Sequence, residues 1–397
     1  MLQKSRIRKI VTNSAALTLF ATFAACTLAV GSPQHAPDFK ILGDVFIAAL
    51  KFIAPFLMFF SISTSIAGVN RSLSSKIGKV IFLYVASIFC AIVVSAVVSY
   101  IHPVRIAPEI LGLTHATHRQ PVTTNFEIFV SVLRNPPLYL TVVFAGVIGG
   151  CILRYCPLKW RVAFENINRL IFQITSWVLK WTPLGIFGIV CSTIARSTEG
   201  VFALYGKLLL NLTLSVALIF AISLPLLYRL CSSTNPFPVL WTCLKDSALF
   251  AFLTRSSIAN LPVNLKLAEK LQLDLRVATP AISLGAVIHM PGASVTIVTF
   301  SFCALTSLGL PLDVHSFVLL VPMVFLCTIA ASGVPAGGLL VLPIALSVLG
   351  IDLDTAMLFV SIGFVTGVVQ DAFGTALNSA SDVYLTAAVC CRSTSDE

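Results

Sequence analysis

The chain has 397 residues, of which 57% are hydrophobic and only 11% charged, and its formal net charge is +10. A soluble domain carries about 25% charged residues, so this composition excludes an ordinary soluble protein and predicts an all-α polytopic membrane protein. The basic residues are dispersed at the ends of apolar runs, and the positive charge therefore indicates membrane topology rather than nucleic-acid binding.

Six apolar segments in residues 1–230 predict transmembrane helices. They are residues 10–30, 41–69, 80–101, 128–153, 171–194 and 208–230, the fourth interrupted by Asn135-Pro136-Pro137. About 20 apolar residues are enough to cross the hydrocarbon core. We interpret the first segment as a retained helix rather than a signal peptide, because it is longer than a usual signal core and a membrane protein follows it.

The loop charges predict the orientation of the chain. With a cytoplasmic N-terminus, the inner loops hold Arg71, Lys76, Lys79, Arg154, Lys159, Arg161, Arg169, Arg229, Lys266, Lys270 and Arg276. The outer loops hold fewer basic residues, namely Lys40, Arg105, Arg119, Arg196 and Lys207. This positive-inside asymmetry places the N- and C-termini in the cytoplasm.

Two similar modules follow after Cys231. In each, a short apolar hairpin precedes a long interrupted helix. The first hairpin (residues 244–264, turning at 254–260) precedes a helix over 277–305 broken at 289–293, and the second hairpin (residues 317–349, turning at 331–338) precedes a last helix over 355–391 loosened at 371–378. We expect every hairpin arm to be too short to span, so the hairpins are predicted to be re-entrant. Paired interruptions of this kind indicate a binding site near the midplane.

Two carboxylates lie in the last helix although no Lys or Arg occurs between Arg276 and Arg392. A charge at bilayer depth costs about 3 kcal/mol on insertion scales, so Asp371 and Asp382 need a cavity or a partner. Since no base is local, we expect the partner to be a cation that arrives and leaves, which indicates a transporter.

The spacing of the polar residues in the last helix makes the transporter hypothesis more specific. Asp371, Thr375, Asn378 and Asp382 follow one another at i, i+4, i+7 and i+11, and so form one stripe of a helix. A carboxylate can hold the ammonium of an amino acid, and Asn and Thr can bind its carboxylate. A second carboxylate can hold a hard cation.

Both hairpin turns carry candidate binding residues. Arg255 lies at the tip of the first turn, where it either pairs with Asp371 or stays near cytoplasmic water. Its neighbours Ser256 and Ser257 offer hydroxyls and backbone N–H groups to a carboxylate. The second turn has little side-chain cover, so its backbone can approach a ligand and hinge at Gly333, Pro335, Gly337 and Gly338.

Residues 254–388 resemble the dicarboxylate/amino acid:cation symporter family, and are most similar to its branch of bacterial sodium-coupled serine/threonine symporters. The matching motifs are Gln370-Asp371, Thr375-Ala376-Leu377-Asn378-Ser379, Asp382-Val383 and Thr386-Ala387-Ala388 on the last helix, and Ser257 with Ala259-Asn260-Leu261-Pro262-Val263-Asn264 in the first hairpin.

The resemblance implies a glutamate-transporter-like fold of eight transmembrane helices and two re-entrant hairpins, assembled as a homotrimer in the bacterial inner membrane. Residues 1–230 would supply mostly the scaffold and trimer contacts. Residues 231–397, with the third and sixth helices, would form a transport core that moves by an elevator mechanism. The activity implied is sodium symport, with Na⁺ as coupling ion and no other cofactor, and not enzymatic catalysis.

The resemblance also implies roles for individual residues. Asp371 takes the substrate amino group, Asn378 and Ser257 take its carboxylate, Thr375 adds a polar contact, and Val334 and Gly338 contribute backbone. One sodium site comprises Gly285, His289, Asn378 and Asp382. A second comprises Met290 and the carbonyls of Val287, Thr328, Ile329 and Ala331.

One departure from the family pattern concerns the substrate. Members that carry acidic substrates have an Arg on the last helix for the side-chain carboxylate, and this chain has Gly374 there. An unpaired substrate carboxylate would be desolvated at a cost of several kcal/mol. We therefore expect a small neutral amino acid, for which serine, threonine and alanine fit best. The choice of serine and threonine is what the resemblance implies.

Another departure concerns the coupling ions. The family motif Asn-Met-Asp-Gly-Thr is replaced by His289-Met290-Pro291-Gly292-Ala293, so the Asp of a third sodium site is Pro291. His289 can bind a cation only when it is neutral. We expect one or two coupled sodium ions, and a proton role for His289 stays open.

Three alternatives differ in class. The first is a dicarboxylate or acidic amino acid symporter, proton-coupled in one version. The second is a membrane-embedded enzyme, which is disfavoured because no His-Glu-x-x-His, Gly-x-Ser-x-Gly or P-loop motif occurs. The third is a passive channel, for which paired hairpins over a central site are not the expected architecture.

Overall fold

The structure is a computed structural model that describes residues 17, 20–21, 23–29, 31–32, 34–68, 75–106, 138–196, 201–311, 313–331 and 336–390. Part of the predicted span 10–30, the beginning of the span 128–153 and its Asn135-Pro136-Pro137 interruption lie outside the described residues. So do the turn residues Gly333, Val334 and Pro335. Where the chain is described, its regular secondary structure is helical, without strands.

The N-terminal half contains helices at most of the predicted positions. Its elements are a 3₁₀ turn (Ala36–Phe39), α1 (Lys40–Gly68), α2 (Ser75–Ile101), α3 (Leu138–Leu153), α4 (Leu158–Leu179), α5 (Thr182–Arg196), α6 (Val201–Leu218), a π-helical turn (Ile219–Ser223) and α7 (Leu224–Cys231). Helices α1 and α2 confirm the spans 41–69 and 80–101. Helices α6 and α7, joined by the π turn, confirm the span 208–230.

The predicted single helix over 171–194 is wrong. The structure has two helices there, because α4 begins earlier, after Pro157, and ends before Lys180 and Trp181. Pro183 lies in the first turn of α5, where its missing N–H costs nothing, but it would break a continuous helix. The apolar run alone did not register this interruption.

The first hairpin spans α8 (Pro236–Cys243), a π-helical turn (Leu244–Ala248), α9 (Leu249–Thr254) and α10 (Ser257–Lys270). Arg255 adopts a left-handed conformation at the tip, with φ 50°, and the Ser256 hydroxyl caps α10 by accepting from the Ala259 N–H at 3.2 Å. The first arm is longer than predicted. It begins at Pro236, capped by Asn235, and its 19 residues match a short membrane span. The expectation that every arm is too short is therefore wrong for this arm.

The second hairpin comprises α13 (Val314–Ala330), α14 (Gly337–Leu340) and α15 (Leu342–Val348). Its first arm has 17 residues, fewer than the 20 or so that a span needs. Ala336 takes a left-handed conformation with φ 56° and begins the return arm. The described parts of this hairpin agree with a re-entrant loop.

The long helix after the first hairpin is interrupted as predicted. Helix α11 (Leu275–Ile288) ends at His289 and Met290, and α12 (Pro291–Leu308) begins directly after them. Proline at position 291 cannot donate a backbone hydrogen bond and its ring excludes a continuous helix, which explains the break.

The last helix, α16 (Leu353–Cys390), runs without interruption for 38 residues. The predicted loosening at 371–378 is wrong, because this stretch contains no proline and its one glycine, Gly374, keeps a helical backbone. A single glycine costs about 1 kcal/mol relative to alanine, too little to break a helix packed on most sides. At 1.5 Å per residue, α16 is about 57 Å long and exceeds the hydrocarbon thickness.

Five helical stretches among the described residues are long and apolar enough to cross a membrane. They are Ser75–Ile101, Ala203–Cys231, Pro236–Thr254, Leu275–Leu308 and Leu353–Cys390. The chain is thus an all-α polytopic membrane protein, as predicted. The last helix is largely buried, and α12, α11 and the first hairpin pack around it.

Polar side chains attach the first hairpin to α16. The Asn260 amide donates to the Ser379 hydroxyl at 2.6 Å, and the Asn264 amide donates to the Ser379 carbonyl at 2.9 Å. The Ser247 hydroxyl completes this fully buried cluster by donating to Asn264 at 2.6 Å. Hydrogen bonds between buried amides and hydroxyls hold these helices in a fixed register.

A backbone contact between Gly292 and Gly374 brings α12 against α16. A side-chain carbon on Gly292 would collide with the Gly374 carbonyl, so only glycine permits this approach. We predict that Gly292→Ala destabilises the protein by about 1–3 kcal/mol through overpacking, and lowers the melting temperature of the detergent-solubilised protein.

The matched control is Gly206→Ala, since Gly206 lies on α6 and a methyl group added to it would meet no atom within 4 Å. Alanine favours helix, so this variant should melt at the wild-type temperature or slightly higher. Equal melting of both variants would contradict the packing described for Gly292.

Candidate functional site

A partly open pocket of ≈60 Å³ lies between the two hairpin turns, the α11–α12 break and the middle of α16. Eleven of the predicted site residues line it, namely Arg255, Ser256, Ser257, Met290, Ala331, Gly337, Gly338, Asp371, Gly374, Thr375 and Asn378. Residues that are far apart in sequence thus meet in one place. The pocket also has lining residues that were not predicted to belong to the site, of which Thr296 and Gln370 are polar.

Asp371 extends into this pocket from α16. One carboxylate oxygen, Oδ1, accepts a hydrogen bond from the Ala336 N–H at 3.1 Å. The other, Oδ2, is buried and has no hydrogen-bond partner within the described part of the chain. The left-handed Ala336 begins the return arm of the second hairpin, so Asp371 links that hairpin to α16. An anionic oxygen without a partner can receive a cationic group.

Arg255 lines the same pocket from the first hairpin. Its Nε is buried without a partner among the described residues, and its guanidinium forms no ion pair with Asp371 within 4.0 Å. Arg255 thus lines the pocket without pairing directly with Asp371. The pocket therefore holds one carboxylate and one guanidinium that do not neutralise each other directly.

Asn378 stabilises the helix break on the pocket's inner side. Its Oδ1 accepts from the Gly292 N–H at 2.6 Å, and its amide nitrogen contacts the Met290 sulfur at 3.2 Å. The first N–H groups of a helix lack intrahelical acceptors, so Asn378 satisfies one of these donors at the start of α12. Thr375 lies between Asp371 and Asn378 on α16 and also lines the pocket.

Asp382, the second carboxylate, lies outside the pocket in a fully buried polar cluster. His289 Nδ1 lies 2.8 Å from Asp382 Oδ1, and neither side chain is exposed. The His289 ring stacks on Tyr84, with centroids 4.3 Å apart and an interplanar angle of 11°. The Tyr84 hydroxyl donates to the Asp382 backbone carbonyl at 3.1 Å. The predicted stripe is therefore divided between two environments.

The structure gives Asp382 a fixed neighbour at one of its two oxygens, because His289 Nδ1 contacts Oδ1. The charge pattern of the last helix did not predict this contact, although the family resemblance placed both residues in one cation site. Tyr84 was missed altogether, since it comes from α2 in the N-terminal half. No pattern within the last helix points to either residue.

The first predicted cation group is only partly assembled. Gly285 lies against Asp382, since a methyl group on it would be 2.6 Å from Asp382 Oδ1. The Asn378 side chain is instead occupied at the helix break. Asp382 Oδ2 is buried and has no hydrogen-bond partner in the described residues, whereas the Gly285 carbonyl accepts from the His289 N–H at 2.9 Å.

The residues of the second predicted cation group lie on α11, at the helix break and at the end of α13. Met290 and Ala331 both line the pocket, and Thr328 is fully buried, with its hydroxyl donating to the Phe325 carbonyl at 2.7 Å. Val287 belongs to α11 and Ile329 to α13, and neither residue lines the pocket. Carbonyl and hydroxyl oxygens are ligands that suit a hard cation such as sodium.

The buried contact between His289 and Asp382 gives a stability prediction. His289→Leu leaves both Asp382 oxygens without a side-chain partner, and breaking one side of a buried polar pair costs about 3–5 kcal/mol. We expect a large drop in melting temperature. The double variant His289→Leu/Asp382→Asn removes the stranded charge and should melt above the single variant. A single variant as stable as wild type would contradict the pairing.

A comparison with protein families agrees with this architecture. A family model described as the sodium:dicarboxylate symporter family matches residues 15–391. The match covers nearly the whole chain, including both hairpins, the interrupted helix and α16. It confirms the family resemblance drawn from the motifs on α16 and the first hairpin. The chain therefore belongs to the sodium:dicarboxylate symporter family and is a multi-pass membrane protein of a secondary-transporter family.

Proposed function

We propose that this symporter imports a small neutral amino acid, serine or threonine, together with sodium. The observation that carries the proposal is the charge of the pocket. Its described lining contains one carboxylate, Asp371, and one guanidinium, Arg255, and no other ionisable side chain. A zwitterion, with one ammonium and one carboxylate, complements this lining.

Charge and space both favour a neutral side chain. A second substrate carboxylate would have no second base among the described lining residues, and would lose its hydration without compensation. The space of ≈60 Å³ is small, which favours a small substrate such as serine. Gly374 adds no charge or bulk.

Each end of the substrate has a proposed binding residue. The ammonium binds the free Oδ2 of Asp371, which replaces its lost hydration. The α-carboxylate lies toward Ser257, at the start of α10, and the Asn378 amide. Ser256, Thr375, Val334 and Gly338 add hydroxyl or backbone contacts. Arg255 favours the carboxylate end electrostatically.

Sodium is the proposed coupling ion and occupies two positions. Asp382 Oδ2 and the Gly285 carbonyl hold one ion, beside His289. Met290 with the oxygens of Val287, Thr328, Ile329 and Ala331 holds the other. The support for the first position is the buried, unpartnered oxygen of Asp382 in the described part of the chain. The support for the second is the convergence of Met290 and Ala331 on the pocket.

We propose an elevator mechanism for the movement. The hydrogen bonds from Asn260 and Asn264 to Ser379 support a core in which the first hairpin and α16 move together. The second hairpin, with Gly333, Pro335 and Gly337, would open and close over the substrate. This core comprises residues 231–397 together with the third and sixth predicted spans, which are α2 and the joined helices α6 and α7. The remaining helices of residues 1–230 form the scaffold of a homotrimer in the bacterial inner membrane, with both termini cytoplasmic.

A dicarboxylate or acidic amino acid is the second candidate substrate. The observation in its favour is the Arg255 guanidinium, whose buried Nε has no partner in the described chain and could take a side-chain carboxylate. Asp371, in the same pocket, would repel a dicarboxylate without an ammonium. The two candidates therefore differ in which competitor displaces the substrate.

Uptake of labelled serine into proteoliposomes tests the proposal. We expect an inward sodium gradient to drive serine accumulation, and unlabelled threonine to compete while aspartate and succinate do not. Competition by aspartate or succinate, with no displacement by threonine, would replace the neutral substrate by the acidic one. A matched potassium gradient is the control for a nonspecific leak.

Asp371→Asn tests the proposed ammonium site. The amide keeps the shape of the side chain and the Ala336 contact but removes the charge, so we expect at least about a hundredfold loss of serine uptake at unchanged melting temperature. Asp246→Asn is the control, since Asp246 pairs with Lys270 away from the pocket and should keep uptake. Wild-type uptake by Asp371→Asn would remove the assignment.

A further inference from the structure

A second polar pair lines the pocket beside the Asp371 stripe. Gln370 on α16 donates from Nε2 to the Thr296 hydroxyl of α12 at 3.0 Å. Both side chains are 5% exposed and both line the pocket. No role in binding follows for either residue from the contacts discussed above.

The pair is held in place by two further hydrogen bonds. The Thr366 hydroxyl shares its proton between the Gly363 carbonyl at 3.1 Å and Gln370 Oε1 at 3.3 Å, and the Thr296 hydroxyl donates to the Gly292 carbonyl at 3.3 Å. Thr296 thus accepts one bond and donates one. A glutamine amide has two N–H donors and two acceptor positions, of which Gln370 uses one of each. One donor and one acceptor of the Gln370 amide remain for a ligand.

The position of the pair follows from the antiparallel contact of α12 and α16. Gly292 packs against Gly374, and one turn along, Thr296 meets Gln370, because each partner lies four residues from its glycine. The two glycines leave space in the pocket, and the hydrogen-bonded side chains of Gln370 and Thr296 form one side of that space. A substrate whose ammonium binds Asp371 lies near these side chains, since Gln370 and Asp371 line the same pocket.

We propose that Gln370, positioned by Thr296, recognises a hydroxyl group on the side chain of the transported amino acid. A hydroxyl donates one hydrogen bond and accepts another, which matches the free acceptor and donor of the amide. The substrate class is then a 3-hydroxy amino acid rather than any small neutral one. This inference rests on the proposed function and makes it more specific.

The consequence is selection against alanine. Alanine has the size of serine without the hydroxyl, so it would leave the free donor and acceptor of Gln370 unpaired in a dehydrated pocket. A buried polar group without a partner disfavours the complex, and a site that hydrogen-bonds a hydroxyl rejects the analogue that lacks it. Serine should therefore be transported more efficiently than alanine.

The test measures uptake of serine and of alanine by the same protein in proteoliposomes. The readout is the ratio of their efficiencies, each taken as the maximal rate divided by the half-saturating concentration. In Gln370→Met, which keeps the length of the side chain but removes the amide, we expect the serine-to-alanine ratio to fall about tenfold, the size of one hydrogen bond. Alanine uptake itself should persist, which shows that the variant folds.

Two further variants complete the design. Thr296→Val keeps the shape of the side chain but removes the hydroxyl that positions Gln370, so the ratio should fall in the same direction. Thr299→Val is the matched control, because Thr299 is a buried threonine of α12 that does not line the pocket. It should leave the ratio unchanged.

The failures of the two proposals are distinguishable. A wild-type ratio near one, or an unchanged ratio in both Gln370→Met and Thr296→Val, overturns the role of Gln370 and leaves neutral amino acid import standing. A wild-type protein that takes up neither serine nor alanine overturns the proposed function, and the role of Gln370 with it.

Discussion

The burial of two carboxylates on one continuous helix is the constraint on which the rest of the structure depends. An anion at this depth needs a compensating group, and the chain provides a different one at each position. Asp382 contacts His289 through Oδ1 in a fully buried cluster beside Tyr84, whereas Asp371 accepts from the Ala336 N–H and has its free oxygen at the pocket. Asp382 therefore contributes to the packing of the fold, and Asp371 is available to a substrate.

The break between α11 and α12 forms one side of the pocket that Asp371 lines and Asp382 does not. Pro291 ends one helix and begins the next, so backbone N–H groups become available at the centre of the fold, and Asn378 satisfies one of them. The unbroken α16 provides a rigid surface against which the two hairpin turns and the break converge. Glycines at 292 and 374 bring the helices close enough for small side chains to define the pocket.

The sequence predicted what depends on local pattern. Apolar runs located most helices, Pro291 located the break, and the polar spacing on α16 identified Asp371, Thr375 and Asn378 as pocket residues. Contacts across the fold could not be predicted in this way. Tyr84 comes from another part of the chain, and the contact of His289 with Asp382, 93 residues away, was expected only through the family resemblance. Gln370 became a candidate for substrate binding only when Thr296 was found beside it. The interruption before Pro183 and the continuity of α16 show that apolar content alone does not determine where a helix breaks.

The proposed transport cycle depends on the carboxylates of α16 holding positive charge that moves with the substrate. The most direct measurement is the number of sodium ions carried per serine, from reversal potentials in proteoliposomes at defined sodium and serine gradients. We expect one or two sodium ions per serine, since Pro291 removes the ligand of a third site. Serine flux that is indifferent to the sodium gradient would contradict this coupling.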